Sequence, residues 1–141
     1  AATGRPALTT STAVVAALRA LEIRRLSMGT PYPDPVNEAE IDFLARSGVR
    51  VVKAKGLGIE RPPLVSQTPP ERLIQLAEEI VCPEAQAIFL SCTGLIVMDL
   101  IPRLERLHHR PVITSNQATL WMALKRLGAE AKRPPGRLFD R

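Results

Sequence analysis

The sequence predicts an α/β domain in which a parallel sheet of about four strands is flanked by helices. Three observations support this prediction. Apolar, β-branched segments alternate with amphipathic segments of helical period, and each apolar segment is nearly continuous, as in strands buried on both faces. The chain has 141 residues, of which 45% are hydrophobic, which is enough for one domain with a sizeable core. This alternation is typical of a parallel sheet covered on both sides.

The first predicted unit is a helix followed by a strand. Apolar residues recur at helical spacing over 12–22, and Thr10 or Ser11 is a suitable N-cap for this helix. Residues 24–30 then predict a short strand, which the turn-rich sequence TPYPDP ends.

The second unit repeats this order. Asp34 or Asn37 is a suitable N-cap for a helix over 36–47, and Gly48 predicts its end. Residues 49–56, VRVVKAKG, then predict a β-branched strand.

The third unit follows a loop. Thr68 is a plausible N-cap, and Pro69 or Pro70 suits the first turn of a helix that continues to residue 81. The apolar sequence AQAIFLS predicts the next strand at 85–91.

The chain closes with a helix at 96–107, a strand at 110–115 and a helix at 116–128. We therefore place the α/β domain at 1–128. The remaining residues, 129–141, are rich in Pro, Gly and Arg and predict an extended C-terminal tail.

Cys92 lies where a predicted buried strand gives way to a loop. Ligands of parallel sheets bind in loops beyond the carboxyl ends of the strands. If the next helix begins near Ile96, the backbone N–H groups of Thr93, Gly94 and Leu95 are its free donors. Such a helix end favours a thiolate, so Cys92 is a candidate catalytic residue. The alternative is that Cys92 is a small buried hydrophobe.

Other polar residues also follow predicted strands. Tyr32 is the only tyrosine and lies in a Pro-rich loop, where its hydroxyl either points into a cleft or packs on prolines. Ser115, Asn116 and Gln117 open the last helix, and an N-cap role there does not exclude ligand contact. Cys82 lies in no comparable setting and is interpreted as structural.

Composition argues against several classes of protein. The net charge is +5, but the basic residues are scattered and only three Phe, one Tyr and one Trp could stack on bases, so we expect no nucleic-acid partner. This charge equally suits small anionic substrates. No apolar run approaches membrane-spanning length. Two cysteines suggest a reducing, cytoplasmic setting. The adjacent pair His108 and His109 does not predict a metal site, and no nucleotide-binding motif occurs.

Two long segments resemble a known superfamily. FLSCTGLIVMDLIPRLERLHHRPVITSNQATLW, residues 89–121, is similar to the second-cysteine segment of the aspartate/glutamate racemase superfamily, nearest its branch of maleate cis–trans isomerases and arylmalonate decarboxylases. PALTTSTAVVAALRALEIRRLSMGTPYPDPVNE, residues 6–38, resembles the central segment of the same proteins. The resemblance implies two α/β halves facing each other across a cleft, with one cysteine position in each and no metal or organic cofactor. This chain then corresponds to the second half, Rossmann-like or flavodoxin-like, and begins midway through such a protein.

The resemblance also implies roles for individual residues. Cys92 matches the second cysteine and is the expected catalytic residue. Maleate isomerases place an asparagine in the loop after the strand at 50–55, whereas this loop reads GIERPPLVSQ and offers none. The residues expected to bind a substrate carboxylate are Tyr32, Thr93, Gly94, Thr9 and Thr10.

The resemblance leaves two reactions open. SCTGL and TSNQATLW favour an isomerase that converts a small dicarboxylate such as maleate through addition of a thiolate to the alkene, and we rank it first. LIVMDLIP and RPPGRLFD favour an arylmalonate-type decarboxylase in which Cys92 protonates an enediolate. A third interpretation is an inactive, dimerising or binding fragment. We expect a small carboxylate as substrate. We also expect a homo-oligomer or association with a missing N-terminal half, and low activity for the isolated chain.

Overall fold

Four parallel strands form one sheet in the computed structural model of this chain, which describes residues 7–132 and 135–141. The sheet order is β2-β1-β3-β4, so β1 and β3 are the inner strands. The predicted parallel α/β fold is confirmed. The strands are β1 (Arg25–Thr30), β2 (Arg50–Gly56), β3 (Ala87–Leu90) and β4 (Val112–Thr114).

Helices connect the strands and cover both faces of the sheet. The structure has the five predicted helices and adds one short helical turn, α3, within the predicted loop after β2. No helix within the described ranges combines the length and apolar composition needed to cross a bilayer. The helices are α1 (Thr10–Ala20), α2 (Asp34–Arg46), α3 (Pro62–Val65), α4 (Pro70–Ile80), α5 (Ile101–His108) and α6 (Ser115–Leu127).

Strand β3 shows how the sheet is buried on both sides. Successive side chains of a strand point to opposite faces. Phe89 belongs to the core cluster formed with α1, α2 and α6, whereas Ile88 and Leu90 belong to the cluster formed with α4 and α5. All four residues of β3 are buried. The near-continuous apolar sequence of this strand therefore follows from a helical layer on each face.

The strand order makes β1 the point at which the chain reverses direction across the sheet. After β1 the chain passes through α2 to β2 on one side, then crosses back to β3 on the other side. The loops after β1 and β3 therefore diverge at the carboxyl edge of the sheet. Such a switch point leaves a crevice, which is the usual ligand site of open α/β sheets.

The N-cap of α1 differs from the prediction. Thr9 caps this helix, and neither Thr10 nor Ser11 does. The Thr9 side chain accepts a hydrogen bond from the Thr12 N–H at 3.1 Å, and the Thr12 hydroxyl accepts one from the Thr9 N–H at 3.3 Å. This reciprocal capping box needs a hydroxyl three residues after the cap, which selects Thr9.

A second capping box begins α6. Thr114 is the N-cap, rather than Ser115 or Asn116. Its hydroxyl accepts from the Gln117 N–H at 3.1 Å, and the Gln117 side chain accepts from the Thr114 N–H at 3.3 Å. The side chains of Ser115 and Asn116 are therefore left for other partners.

The predicted caps of α2 and α4 are also wrong. Pro33 and Pro69 occupy the N-cap positions, and neither helix has a side-chain cap. Asp34 begins α2, where its charge suits the positive end of the helix dipole. Asn37 lies inside α2 with a buried side chain. Thr68 precedes Pro69 and instead donates its hydroxyl to the Val65 carbonyl at 2.8 Å.

The helix after Cys92 begins later than predicted. A short 3₁₀ turn spans Met98–Leu100, and α5 starts at Ile101 instead of near Ile96. Pro102 explains the difference, because its ring clashes with a helical carbonyl four residues earlier but fits the first turn of a helix.

The described part of the predicted tail packs on the domain instead of extending away from it. Residues 135–141 include a 3₁₀ turn at Arg137–Asp140, and Leu138 is fully buried in the core cluster with α1 and α6. Residues 133–134 of the tail, like residues 1–6 of the predicted domain, lie outside the described ranges. The prediction of an extended tail is therefore wrong for residues 135–141.

Glu105 joins this C-terminal segment to the sheet. Its Oε1 accepts hydrogen bonds from the backbone N–H groups of Val112 and Arg137, both at 3.1 Å. Burial raises the pKa of the Glu105 carboxyl, and these two hydrogen bonds oppose the rise. The carboxyl therefore supplies acceptors that β4 and the C-terminal turn require.

We expect Glu105→Ala to lower the free energy of unfolding by about 1–3 kcal/mol, because the buried N–H of Val112 loses its acceptor. Urea denaturation at neutral pH measures the change. Glu38→Ala, which removes an exposed carboxyl on α2, is the control and should change stability far less. Equal unfolding free energies for the two variants would show that Glu105 does not anchor this segment.

Candidate active site

A cavity of about 510 Å³ lies in the crevice at the switch point. Residues that follow β1 and β3 form one side, and the start of α1, one face of α2 and the start of α6 form the rest. Its polar lining consists of Thr10, Ser11, Tyr32, Glu40, Ser91, Cys92, Thr93 and Ser115. Its apolar lining includes Val14, Val36, Phe43, Leu44 and Phe89.

Cys92 lies two residues beyond the end of β3 and lines this cavity. Its φ is 150°, a backbone conformation that L-residues rarely adopt. The surrounding structure holds it there: the Cys92 N–H donates to Ser115 Oγ at 3.1 Å, and the Asn116 side chain donates to the Thr93 carbonyl at 3.0 Å. Strained backbone that is fixed by its neighbours is characteristic of functional sites.

Two donor groups lie at the Cys92 thiol. The Gly94 N–H donates to Sγ at 3.3 Å, and the Tyr32 hydroxyl lies beside the same group. The prediction that Thr93, Gly94 and Leu95 offer the free N–H groups of a helix end is wrong, because α5 starts later and the Leu95 N–H donates to the Cys92 carbonyl at 3.3 Å. The donors are nevertheless placed where negative charge on sulfur would form.

Tyr32 is fixed by the residues around its backbone. Its N–H donates to Thr30 Oγ1 at 3.0 Å, and its carbonyl accepts from the Asn37 side chain at 3.3 Å. The Thr30 hydroxyl in turn donates to the Asn37 side-chain oxygen. Gly56 passes so close that a Cβ there would overlap the Tyr32 carbonyl and the Asn37 amide nitrogen. Only glycine permits this approach, which links the end of β2 to the Tyr32 loop.

The environment of Tyr32 keeps its hydroxyl protonated. Burial raises the pKa of Tyr32 well above its usual value, and the hydrogen bond to Cys92 and the charges of Cys92 and Glu40 raise it further. Loss of the proton would place a negative charge in a partly buried cavity whose described lining contains neither Lys nor Arg. Tyr32 is therefore a hydrogen-bond donor in this cavity over the neutral pH range.

Some of the other predicted site residues line the cavity and some do not. Thr10 and Thr93 line the cavity with Cys92 and Tyr32, so the structure brings four of the six predicted residues together there. Gly94 contributes its N–H to the sulfur from just outside the lining. Thr9 does not line this cavity, and its hydroxyl is engaged in the cap of α1.

The remaining candidates lie outside the cavity. Cys82 is a partly buried free thiol at the opposite end of the sheet, and its carbonyl accepts from the Arg110 side chain at 2.7 Å. Within residues 7–132 and 135–141, no group of three or more His, Cys, Asp and Glu side chains is placed to hold a metal ion. Gln117 is buried and donates to the Pro135 carbonyl, so it supports the C-terminal segment.

Glu40 is a site residue that the sequence analysis missed. It lines the cavity from α2, and the Ser91 hydroxyl donates a hydrogen bond to its Oε1. Burial raises the pKa of the Glu40 carboxyl, although the bond from Ser91 acts in the opposite direction. Helical spacing offered a signal, because Glu40 lies four residues before the buried Leu44, on the face of α2 that lines the cavity.

Comparison with known proteins agrees with this geometry. The family described as arylmalonate decarboxylase matches residues 1–139. The arylmalonate decarboxylase of Bordetella bronchiseptica is 39% identical over 143 residues, covering 99% of this chain and 60% of that protein. The racemase-superfamily resemblance, in its isomerase and decarboxylase branch, is confirmed.

Two solved structures share the fold closely. A crystal structure of arylmalonate decarboxylase superposes with a TM-score of 0.90 at 38% identity, covering 99% of this chain and 63% of the other. A mutant Nocardia farcinica maleate cis–trans isomerase with a covalently bound succinylcysteine intermediate gives a TM-score of 0.91 at 25% identity, covering 98% and 58%. This chain thus spans about three-fifths of the length of these relatives. On the match over nearly its whole length, the chain belongs to the arylmalonate decarboxylase family.

Proposed function

We propose that this chain carries the proton-donating cysteine of a cofactor-independent decarboxylase that acts on arylmalonate-type dicarboxylates. The observation that carries the proposal is Cys92, held in a strained conformation at the switch point with the Gly94 N–H donating to its sulfur. Among the described lining residues, its thiol is the group best suited to deliver a proton to carbon. The greater identity to a decarboxylase, 39%, supports this choice over the isomerase that we ranked first from sequence.

The proposed reaction uses the two sides of the cavity differently. One carboxylate leaves as carbon dioxide beside the apolar wall, which also suits an aryl substituent, and the bonding electrons pass into the remaining carboxylate as an enediolate. The Cys92 thiol then protonates the carbon, and water returns a proton to the sulfur. In this proposal the Tyr32 hydroxyl and the Thr93 N–H hold the enediolate oxygens, because the N–H groups of Cys92, Gly94 and Leu95 already have acceptors. The apolar wall is formed by Val14, Phe43, Leu44 and Phe89.

Isomerisation of a maleate-type alkene is the second candidate. The likeness to a solved isomerase that carries a succinylcysteine intermediate favours it, because such an intermediate requires a cysteine to add to the alkene. In this reaction a cysteine thiolate would add to one alkene carbon, the resulting single bond would rotate, and the thiolate would leave. Cys92 would act there as one of the two cysteines that the family resemblance implies.

The deciding experiment compares phenylmalonate and maleate as substrates of this chain. Release of carbon dioxide reports the first reaction, and formation of fumarate, followed by proton NMR, reports the second. We expect slow decarboxylation of phenylmalonate and little isomerisation. Isomerisation alone would transfer the proposal to the second candidate, and no turnover of either substrate would contradict both for this chain.

We expect Cys92→Ala to lower kcat for phenylmalonate by about 10²–10⁴-fold, because the proton donor is removed. Cys92→Ser should be nearly as slow, since a hydroxyl is a much weaker acid than a thiol. Cys82→Ser, at the cysteine outside the cavity, is the control and should keep the original kcat. Full turnover by Cys92→Ala would remove the cysteine from the mechanism.

Tyr32→Phe removes one donor to a charged oxygen or sulfur, a change of about 1.5–3 kcal/mol. We therefore expect kcat/KM to fall by about ten- to a hundredfold. Ser47→Ala, which removes a hydroxyl bonded to the Phe43 carbonyl at the end of α2, controls for loss of a hydroxyl elsewhere. If both variants keep the original kcat/KM, Tyr32 does not contact the reacting groups.

We also propose that another protein surface covers the open side of the cavity, either a second copy of this chain or an additional half of the kind that the family resemblance implies. Three exposed apolar side chains support this proposal. Val36, Leu64 and Ile96 are 45%, 40% and 69% exposed, and they lie in the segments that follow β1, β2 and β3. Apolar groups clustered at one edge are typical of an interaction surface.

In the absence of another partner, this chain should therefore associate with itself at micromolar concentration, and Ile96→Asp should shift it toward the monomer. Sedimentation velocity over a concentration series measures both effects. Leu127→Asp, at an exposed residue near the opposite edge of the sheet, should leave the association unchanged. A monomer at every concentration would argue against self-association.

A further inference from the structure

The Glu40 carboxyl has one satisfied oxygen and one unsatisfied oxygen. Its Oε1 accepts the hydrogen bond from the Ser91 hydroxyl. Its Oε2 is buried and has no hydrogen-bond partner among the described residues. Buried polar atoms in folded proteins nearly always have a partner. Because Glu40 lines the Cys92 cavity, a bound molecule is the partner that could satisfy Oε2.

The surroundings of this carboxyl favour its neutral form. Glu40, Tyr32 and Cys92 are the titratable groups among the described residues that line the cavity, and that lining contains neither Lys nor Arg. Burial raises the pKa of Glu40, as expected for a carboxyl without a cation. In the neutral form the proton resides on Oε2, since Oε1 already accepts from Ser91. The other polar lining groups, from α1, α6 and the two strand-end loops, are the hydroxyls of Thr10, Ser11, Ser115, Ser91 and Thr93.

We propose that Glu40 is a specificity-determining residue of the Cys92 cavity and that its Oε2 donates a hydrogen bond to an oxygen atom of the bound substrate. This inference rests on the proposed function, in that it takes the cavity to be the substrate site. The substrate must then present an oxygen acceptor to α2, in addition to the oxygens that Tyr32 and the Cys92 turn hold. Neutral Glu40 accommodates a carboxylate oxygen there, whereas ionised Glu40 repels it.

The sign of the pH dependence follows from this arrangement. Below the pKa of Glu40 the carboxyl is a donor, so anionic ligands are accepted. Above that pKa the proton is lost, and the carboxylate repels an anionic ligand without offering a donor. Discrimination against anions therefore increases as the pH rises, and it disappears when residue 40 cannot ionise.

Alkylation of Cys92 tests the proposed role of Glu40 without any enzymatic turnover. The rates with iodoacetate, an anion, and iodoacetamide, its neutral amide, are measured from pH 5 to 9, with modification at each cysteine identified by peptide mass spectrometry. Their ratio cancels the fraction of thiolate, which affects both reagents equally. In the original chain we expect the ratio of the iodoacetate rate to the iodoacetamide rate at Cys92 to fall by at least about threefold from pH 5 to 9. Repulsion between two charges about 6 Å apart has this effect even in water.

Three variants separate the effect of the Glu40 charge from the effect of its hydrogen-bond donor. Glu40→Gln keeps an acceptor for Ser91 and a donor at the position of Oε2, so its ratio should stay high and independent of pH. Glu40→Leu lacks the donor, so its ratio at pH 5 should lie below that of Glu40→Gln. Glu38→Gln, at an exposed carboxyl two residues away, should behave as the original chain does. Cys82 in every sample is an internal control whose ratio should be the same in all variants.

Several results would overturn the inference. One such result is a ratio that does not change with pH in the original chain. Another is a ratio that falls with pH in Glu40→Gln, and a third is equal ratios at pH 5 for Glu40→Gln and Glu40→Leu. Failure of both reagents to modify Cys92 would also do so, because the cavity would then not admit ligands. The expected ratios without turnover of phenylmalonate or maleate would instead refute the proposed function and leave the role of Glu40 standing.

Discussion

The parallel pairing of β1 with β2 on one side and β3 on the other is the constraint on which the rest of the structure depends. It forces the chain to cross the sheet between β2 and β3, and it makes the loops after β1 and β3 diverge. Tyr32 and Cys92 are 60 positions apart in the sequence, yet this pairing brings them together at one edge. The site is therefore a consequence of strand order.

Rigidity at the site comes from contacts between neighbouring loops. The Tyr32 loop is held by Asn37 and by the close passage of Gly56, and the Cys92 turn is held by Ser115 and Asn116. Tyr32 and Cys92 are thus each supported by an element other than their own. Preorganised donors of this kind need little rearrangement when charge develops on a bound molecule.

Fold and site differed in how far the sequence could predict them. Strands and amphipathic helices follow from hydrophobic period, so the architecture was predictable, and Cys92 and Tyr32 could be selected because they follow strands. Strand order and the hydrogen bonds between distant segments depend on tertiary packing, which a local pattern does not contain. Glu40 was missed because a glutamate inside a helix is usually solvated, although its spacing from Leu44 placed it on the inward face.

The φ of 150° at Cys92 has a consequence for how this protein can vary. Glycine adopts that conformation without strain, so replacing Cys92 by glycine would relieve backbone energy at the same time as it removed the thiol. A substitution that stabilises the backbone at residue 92 would therefore remove the thiol that the proposed reaction uses. Selection for heat resistance alone, for example in a directed-evolution experiment without an activity screen, would tend to remove the cysteine.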